Sequence, residues 1–471
     1  MQRKASCVEI VVLVAGLGGL AGCGSSEPPA GCPPENEIRG ACAGVPRDAV
    51  CEGGICDAGV DCAEVTQVDS DAALQRAAAG AMSGACIALA PGSYGAVEIP
   101  GGVSLLGRSA DDVAVGEVTV GAGEGAVLRG FRAPTIRVQG ATGARIDSVR
   151  VSGSAQEGVV VDPRSSVTLI RSTIEGAGSY GVYALDPRSV SLDQVVIDGS
   201  GRPALWVASS EDCPAPAARP TIDMRRSIVR GNHIAGVALF GASAAIQGVD
   251  ILETAPGDVH SYGEGGGGLS VAACSEVDVQ GLRVHDNASY GVLIDGSAGN
   301  IGGLGSEGEV EIHRNVRGLW IQNITESFTV ENAQLDQNKG AAIGLSGESR
   351  GVIICRSRVS RTEMKTLDAV GDISVREVGH GLVWSERSSA SVVDVSLSGS
   401  SIASVLIDGE AGGELDRVVL SGGDEALGIV QQHVTSGAQQ PVLSGGTPAL
   451  RVAEGQVYPV PTSPAVLARG L

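Results

Sequence analysis

Residues 158–181 read GVVVDPRSSVTLIRSTIEGAGSYG and contain three short apolar runs separated by turn residues. Within the runs, apolar side chains alternate with polar or small ones. The apolar positions are Val159, Val161, Val167, Leu169 and Ile174. A period of two is typical of strands, and Asp, Pro, Gly and Ser between the runs favour turns. The stretch therefore predicts three short β-strands and no helix.

The same pattern recurs at intervals of 23 residues, as from Gly158 to Gly181, with longer intervals where whole loops are inserted. We expect each unit to begin at a small residue followed by an apolar strand. The predicted repeat positions are Thr135, Gly158, Gly181, Ala204, Gly236, Gly268, Gly291, Gly318, Ala341, Gly381, Ser404 and Leu427. A period interrupted only by insertions is typical of a solenoid. Recurring asparagines are interpreted as tight left-handed corners; they are Asn232, Asn287, Asn315 and Asn338.

Segments such as SIVRGNHIAGVALFG and LRVHDNASYGVLIDG resemble the right-handed parallel β-helix, or pectin-lyase-like, superfamily with its PbH1-type repeats. The resemblance implies an all-β solenoid with coils of about 23 residues. We expect the β-helix over 91–440, an N-terminal cap over 65–90 and a C-terminal cap or tail over 441–471. The cap contains the one convincing helix, over 71–79, and we expect the first strand to begin after it, at Cys86.

The N-terminus has the features of a bacterial lipoprotein signal over 1–22. Arg3 and Lys4 precede an apolar stretch that is too short to span a membrane, and Leu20-Ala21-Gly22-Cys23 resembles a lipobox. A buried or transmembrane helix is the alternative. We expect Cys23 to carry lipid, and the mature protein to lie at the outer membrane or the cell surface.

The cysteines are typical of an exported protein. The region 23–64 is rich in Gly, Pro and Cys and lacks apolar periodicity, which favours a disulfide-stapled spacer over a zinc site. We predict the disulfides Cys62–Cys86 and Cys213–Cys274 and a buried free thiol at Cys355. The pairing of four spacer cysteines stays open; these are Cys32, Cys42, Cys51 and Cys56.

The charge of the chain limits the class of partner. Its formal net charge is −21, and only three of its residues are lysines, which argues against nucleic acid and anionic lipid as partners. Aromatic residues make up only 3%, so those present are informative. Five residues fall at the outward position of the same strand and are predicted to form an exposed apolar ridge that binds a partner. They are Val160, Tyr183, Trp206, Leu293 and Trp320. The alternative is that the C-terminal tail covers this ridge.

Ionisable residues suggest one catalytic candidate. Glu253, His285, His313 and Asp336 are predicted to occupy equivalent positions on four successive coils, about 5 Å apart. Carboxylates and imidazoles in such a ladder could exchange protons with a sugar or bind a divalent metal, but solvated stacking of outward polar residues at a turn is the favoured interpretation. No cofactor is otherwise indicated.

Gly379-His380-Gly381 resembles the Gly-His-Gly motif of polygalacturonase-type hydrolases, but that family's Asn-Thr-Asp, Asp-Asp and Arg-x-Lys partners are missing. Two functions therefore remain. The first is a monomeric, non-catalytic surface lipoprotein whose rod binds a glycan or a protein. The second is a polysaccharide lyase, hydrolase or epimerase of the β-helix type.

Overall fold

A computed structural model describes residues 60, 62–257, 265–367, 376–421, 428–434, 441–453, 458–461 and 463–464. Over these residues each complete coil contributes one strand to each of three long parallel sheets, so the chain folds as the predicted parallel β-helix. Successive coils lie one strand spacing apart, about 4.8 Å. Within the described ranges, no helix is long and apolar enough to cross a membrane.

Within each coil the chain passes through the three sheets in a fixed order, and they are numbered 1 to 3 in that order. Sheet 1 contains Glu64–Val68, Ala85–Leu89, Ser104–Leu106, Val127–Arg129, Ala144–Asp147, Ser166–Ile170, Ser189–Asp193, Thr221–Arg225, Ser243–Gln247, Glu276–Gln280, Ala298–Ile301, Phe328–Glu331, Val352–Cys355, Ser389–Val393, Gly412–Asp416 and Val442–Ser444. Sheet 2 contains Gly92–Ser93, Val113–Ala114, Arg132–Ala133, Arg150–Ser152, Thr173–Glu175, Val196–Asp198, Ile228–Arg230, Asp250–Leu252, Arg283–His285, Val310–His313, Ala333–Asp336, Arg358–Ser360, Ser396–Ser398 and Val419–Ser421.

Sheet 3 contains Val97–Ile99, Val118–Val120, Ile136–Val138, Val159–Val161, Val182–Leu185, Leu205–Ala208, Ala235–Phe240, Gly267–Ala272, Tyr290–Asp295, Arg317–Gln322, Gly340–Ser346, Arg376–Trp384, Ala403–Asp408, Ile429–Gln432 and Leu450–Val452. Lys365–Leu367 pairs antiparallel with Arg376–Trp384, and Gly123–Glu124 pairs with Ala141–Thr142. Two 3₁₀ turns, Pro216–Ala218 and Ser306–Gly308, lie in connecting loops.

The pairing register confirms most of the predicted repeat positions and corrects two. Leu319 pairs with Ile343, so the residue equivalent to Gly318 is Ala342, and the prediction of Ala341 is wrong by one residue. Val405 pairs with Ile429, which places Gly428 at the repeat position and not Leu427, a residue outside the described ranges. In both coils the corner before the strand is one residue longer than the 23-residue spacing assumes.

The inward side chains of the three sheets form one continuous apolar core. Val182, Leu239, Ile294 and Ile321 are all 0% exposed, which confirms the predicted alternation of inward and outward residues. The repeat glycine is needed where sheet 3 passes closest to the inward residues of sheet 2. A Cβ on Gly181 would lie 2.5 Å from Cγ2 of Ile197 and 2.6 Å from the carbonyl oxygen of Ala204.

The recurring asparagines are buried and do not adopt the left-handed backbone, so that part of the prediction is wrong. Asp286, Arg314 and Gln337, each one residue earlier, have the positive φ of 58°, 57° and 53°. The asparagine side chains instead bond to the backbone: Asn315 Nδ2 donates to the carbonyl oxygens of Val284 and His313. These residues therefore satisfy polar backbone groups inside the coil corners.

Arginines with positive φ occupy the corner between sheets 1 and 2 and bind acids on the preceding coil. Arg171, with φ of 47°, donates two hydrogen bonds of 2.7–2.8 Å to the carboxylate of Asp147. The Asp147 side chain is 1% exposed and also accepts a bond from Arg145 Nη2 at 2.6 Å. Burial opposes its charged form, but the bonds from Arg171 and Ser148 outweigh it and hold the pKa of Asp147 below its usual range.

The α-helix spans Asp71–Gly80 and covers the first coil with Leu74, which is 0% exposed, and Ala78. Asp71 Oδ1 accepts a hydrogen bond of 2.8 Å from the backbone N–H of Gly95. The expected first strand at Cys86 is in fact the second strand of sheet 1, because Glu64–Val68 precedes the helix and pairs with Ala85–Leu89.

Both predicted disulfides are present. Cys62–Cys86 joins the chain just before the first strand of sheet 1 to the second strand, and Cys213–Cys274 joins an inserted loop to a later coil. Cys355 is 1% exposed, but the predicted free thiol is wrong because Cys355 is disulfide-bonded. Cys23 and the four spacer cysteines lie outside the described residues.

Candidate functional site

The predicted ionisable ladder lies on the outer face of sheet 2, at the C-terminal ends of its strands. His285 pairs with His313, and His313 pairs with Asp336, so three of the four predicted residues stand on successive coils. Glu253 does not belong to this ladder, because Leu252 pairs with His285. Glu253 occupies the following corner, with φ of 56°. The number of residues in a coil does not show whether an extra residue lies before or after a corner, so spacing alone could not separate Glu253 from Leu252.

The two histidines stack on each other and are partly exposed. Their ring centroids are 4.7 Å apart with planes inclined by 3°. Nδ1 of His285 lies 2.7 Å from a carboxylate oxygen of Asp286, and its Nε2 lies 3.1 Å from a carboxylate oxygen of Asp250. Each ring nitrogen of His285 therefore lies within hydrogen-bond distance of a carboxylate oxygen.

Arginines hold the carboxylates that surround the stacked rings. Arg314 donates two hydrogen bonds of 2.6 Å to Asp286, and Arg283 donates one of 2.6 Å to Asp250. The bonds from Arg314, together with a hydrogen bond from His285, lower the pKa of Asp286 to about 2. Both carboxylates are therefore engaged within the protein, as expected for opposite charges on neighbouring strands.

Asp336, at the end of the ladder, is also held by an arginine. Asp336 accepts bonds from Arg361 Nε at 2.8 Å and from Ser360 Oγ at 2.6 Å. Partial burial resists its ionisation, but these bonds and the Arg361 charge leave the pKa of Asp336 below its usual range. Burial lowers the pKa of His313, and the nearby charges of Arg314 and His285 lower it further. His313 is thus a neutral imidazole at pH 7.

Three groups of the cluster were not predicted from the sequence: the acids Asp250 and Asp286 and the arginine Arg314. Asp250 lies two residues before Leu252 on the same face, so strict alternation could have identified it. Asp286 and Arg314 are corner residues whose outward position depends on their left-handed backbone. Among the residues that the structure describes, no group of three or more His, Cys, Asp or Glu side chains is arranged to hold a metal ion. The predicted ladder does not form a metal-binding set.

The predicted apolar ridge lies on the outer face of sheet 3, in the expected register. Val160 pairs with Tyr183 and Tyr183 with Trp206, while Leu293 pairs with Trp320 further along. The ridge is nevertheless not exposed, so that prediction is wrong. Only Tyr183 is partly exposed; the exposures of the others are 4% for Val160, 1% for Trp206 and 0% for Leu293 and Trp320.

Neighbouring rings and the C-terminal segment cover the ridge. Trp206 stacks on Tyr183 at 4.8 Å between centroids and meets Phe240 at 6.0 Å. Further along the rod, the tail residues Tyr458 and Val460 pack against the cluster that contains Leu293 and Trp320. The tail thus runs back along sheet 3 from the last coils, as in the alternative considered for the ridge. A ridge that the protein itself covers is not a free binding surface.

The C-terminal tail also contacts His380. Its Nε2 lies 2.9 Å from the carbonyl oxygen of Pro459, the side chain is 0% exposed, and burial lowers the pKa of His380 to about 4. A second hydrogen-bond pair fixes the tail, between Gln432 and the backbone of Tyr458 at 2.7 and 2.8 Å. His380 therefore acts as part of the tail contact in this structure.

The outer face of sheet 2 differs from that of sheet 3 in exposure. From Arg150 to Ser421, none of the described outward residues of sheet 2 is buried. On sheet 3, one row of outward residues runs through successive strand pairs from Trp206 to Val430. Every described residue of this row is buried. Sheet 2, unlike sheet 3, therefore presents polar side chains to solvent along this part of the rod.

Residues 157–307 match a protein family described as a right handed beta helix region. No curated protein shows significant sequence similarity to this chain. Solved structures with a similar fold include the catalytic unit of a GH87 alpha-1,3-glucanase from Streptomyces thermodiastaticus strain HF3-3, at 13% identity. The match covers 85% of this chain and 69% of the glucanase, with a TM-score of 0.38.

Two further structures are the A-module of the mannuronan C-5 epimerase AlgE4 from Azotobacter vinelandii and PfbA, a surface adhesin of Streptococcus pneumoniae. The epimerase is 13% identical with a TM-score of 0.31, and the match covers 84% of this chain and 96% of that one. PfbA is 11% identical with a TM-score of 0.34, and the match covers 77% and 86%. Scores this low carry no argument about what the present chain binds or does.

Proposed function

We propose that this chain, which is a right-handed parallel β-helix protein, is an exported, lipid-anchored rod that binds a glycan along the outer face of sheet 2 without transforming it. One observation carries the proposal. Sheet 2 keeps its outward side chains accessible along the rod, whereas sheet 3 is covered by its own rings and tail. A row of accessible polar groups on a rigid face suits a ligand that is itself extended.

The chemistry of this face favours a glycan rich in hydroxyl groups. Arg283, Gln334 and Arg358 are exposed outward residues in one row of sheet 2, in which successive positions are about 4.8 Å apart. Glu311 occupies the position between Arg283 and Gln334. Gln334 and Arg358 offer hydrogen-bond donors, and Arg283 keeps further N–H groups beyond the one that it donates to Asp250. The net charge of −21 disfavours a polyanionic sugar, so we expect a neutral polymer.

The test compares a sheet 2 variant with a matched variant on sheet 1. We expect Arg283→Ala/Arg358→Ala to weaken binding to a panel of neutral polysaccharides at least tenfold in calorimetry or glycan arrays. Arg225→Ala removes an equally exposed arginine from sheet 1 and should leave affinity unchanged. Equal effects of both variants, or binding to a protein partner alone, would refute a glycan site on sheet 2.

One observation favours catalysis as the second candidate. His313 is a partly exposed imidazole held neutral beside His285, whose ring contacts two carboxylates, and a neutral imidazole can act as a general base. A polysaccharide lyase, hydrolase or epimerase activity would then depend on both rings. Release of products from uronate or neutral polymers by the wild type, lost in His285→Ala/His313→Ala, would replace the binding proposal with this one.

The anchor is proposed from the sequence Leu20-Ala21-Gly22-Cys23. We expect metabolic labelling to attach lipid to the wild type and not to Cys23→Ala, and we expect the labelled protein to fractionate with the outer membrane or the cell surface. Lipid that remains on Cys23→Ala would contradict the assignment of the anchor. The binding proposal would stand, because its experiment uses soluble protein.

A further inference from the structure

The corner between sheets 1 and 2 is enlarged in one coil. The chain leaves sheet 1 at Ile301 and enters sheet 2 at Val310, whereas in the next coil Asn332 alone joins Glu331 to Ala333. The longer connection, residues 302–309, encloses a cavity of about 340 Å³ against the two coils that follow. This corner pocket is lined by residues 303–306 and by Glu309, Asn332 and Arg356.

The shape of the connection is fixed by contacts with the neighbouring coil. Asn332 Nδ2 donates hydrogen bonds of 3.2 Å and 3.1 Å to the carbonyl oxygens of Gly303 and Gly305. Gly302 has a φ of 86°, and a Cβ there would lie 1.7 Å from the carbonyl oxygen of Glu331. The pocket is therefore formed before any ligand arrives, and a preformed site loses less conformational entropy on binding.

The lining of the corner pocket combines one apolar side chain with a few polar groups. Leu304 is a large apolar residue and is nevertheless 58% exposed. Arg356 pairs with Glu331 and has further N–H donors, while Glu309 accepts a hydrogen bond from Gln334 and has further acceptor lone pairs. The described lining thus carries one positive and one negative side chain. An apolar contact beside balanced polar groups suits a neutral sugar ring, which has a face of C–H groups and hydroxyls at its edge.

The corner pocket borders the row of outward residues on sheet 2 that was proposed above to bind a glycan. Its residues Glu309, Asn332 and Arg356 each lie two positions before a member of that row. These members pair in register on successive coils; they are Glu311, Gln334 and Arg358. The row continues past the pocket on both sides, to Arg283 and to Ser396. A glycan backbone that lies along the row therefore passes beside the pocket, and only a residue that projects sideways from it enters.

We propose that the corner pocket binds a single neutral sugar residue that branches from a glycan backbone on the outer face of sheet 2. The inference rests on the proposed function and narrows its ligand to branched neutral polysaccharides. The volume of the pocket is at the low end of the range of small-molecule sites, about 300–1,000 Å³, as suits one ring and not a chain. Leu304 contacts the C–H face of the branch sugar, and Arg356 and Glu309 bind its hydroxyls.

Matched branched and unbranched polymers test this inference on the wild-type chain. The pairs are galactomannan with unbranched mannan, and xyloglucan with cello-oligosaccharides. We expect at least one branched polymer to bind roughly tenfold more tightly than its unbranched counterpart in calorimetry, a difference of about 1.4 kcal/mol. Equal affinities within both pairs, or tighter binding of the unbranched members, would overturn the corner pocket and leave the glycan site on sheet 2 in place. A wild type that binds none of these polymers would overturn both.

Substitutions in the connection locate the branch sugar. Ser306→Trp fills the corner pocket, whereas the matched control Glu307→Trp adds the same ring to the next residue, which is exposed and is not among the described lining residues. We expect Ser306→Trp to lower the affinity for the branched polymer to that for the unbranched one, and Glu307→Trp to keep the wild-type preference. Arg283→Ala/Arg358→Ala should instead weaken binding of both members of a pair.

Leu304→Ala guards against a distorted connection in Ser306→Trp. The side chain of Leu304 is mostly exposed, so its removal should leave the unfolding temperature unchanged while the preference for the branched polymer falls severalfold. A preference that persists in both Ser306→Trp and Leu304→Ala, or one that is lost equally in Glu307→Trp, would overturn the assignment of the branch sugar to the corner pocket.

Discussion

Charged residues at the coil corners form ion pairs with partners one coil away. The contribution of each pair to folding stability depends on its burial. Asp147 is 1% exposed and bound by two arginines, whereas Asp193 is 29% exposed and bound by Arg226. Both pairs occupy the same corner of the repeat. Comparing them isolates the effect of burial from that of the interaction itself.

We predict that Asp147→Asn lowers the free energy of unfolding by about 1.5–3 kcal/mol, the usual range for hydrogen bonds to a buried charged group. The wild-type contribution should be present at neutral pH and lost as pH falls through the lowered pKa of Asp147, because the folded state binds this proton less readily than the unfolded chain. Urea unfolding at several pH values measures both effects. Asp193→Asn should have a much smaller effect, and similar losses in the two variants would contradict the role given to burial.

Burial of His380 in its neutral form predicts that the folded protein loses stability as the pH falls. Its folded pKa is about 4, below the ordinary value of about 6.5, so the unfolded chain takes up the proton first. Stability should therefore fall as pH drops from about 6.5 to about 4, by about 3 kcal/mol from this group. His380→Gln should flatten this part of the profile, and His433→Gln, which alters an exposed histidine, should not. An unchanged slope in His380→Gln would contradict the prediction.

Residue patterns predicted the side of the sheet more reliably than the register of the corners. Val159 and Ile174 point inward as alternation requires, because burying an apolar side chain outweighs local preferences. The errors at Ala341 and Glu253 arise at corners, where either of two adjacent residues can adopt the left-handed backbone. The sequence therefore predicted His285, His313 and Asp336 of this cluster but not Asp250, Asp286 and Arg314.

The C-terminal tail is the element that changes the interpretation of the aromatic residues. Its residues Tyr458 and Val460 pack against the sheet 3 cluster that includes Val383 and Leu406. No local pattern predicts this contact, because Pro459 and His380 are 79 residues apart and meet through one hydrogen bond to the backbone. Burial of the ridge depends on tertiary packing that alternation within single strands does not encode.

We predict that a chain ending at Ala453 exposes this apolar surface. The truncated protein should bind the dye ANS more strongly than the full chain and should unfold at a lower temperature, since the lost contacts bury apolar area. Tyr458→Phe, which keeps the ring and the backbone bonds to Gln432, serves as the control and should behave like the full chain. Unchanged dye binding on truncation would show that the tail does not protect sheet 3.

The whole molecule is a stack in which each coil contacts mainly the coils on either side. Ile294 lies near the middle of sheet 3 with both neighbours in register, Val271 before it and Ile321 after it. We predict that Ile294→Ala costs about 2–4 kcal/mol through lost burial and the cavity that remains. Thr168→Ala changes an outward, partly exposed residue and should cost far less. Equal shifts of the unfolding midpoint would contradict the assigned orientation of the strands.

The disulfide Cys62–Cys86 has a mechanical consequence. Hydrogen bonds between coils run along the rod axis, so a force applied to one terminus loads them one coil at a time and peels the chain from that end. Cys62–Cys86 closes a loop that contains the first strand, Glu64–Val68, because Cys62 precedes that strand and Cys86 lies in the next one, Ala85–Leu89. A pull on the N-terminus therefore cannot detach the first strand while this covalent bond is intact. The tension passes to the second strand and the helix-capped coil around it, so the first strand is shielded from a force applied at the N-terminus.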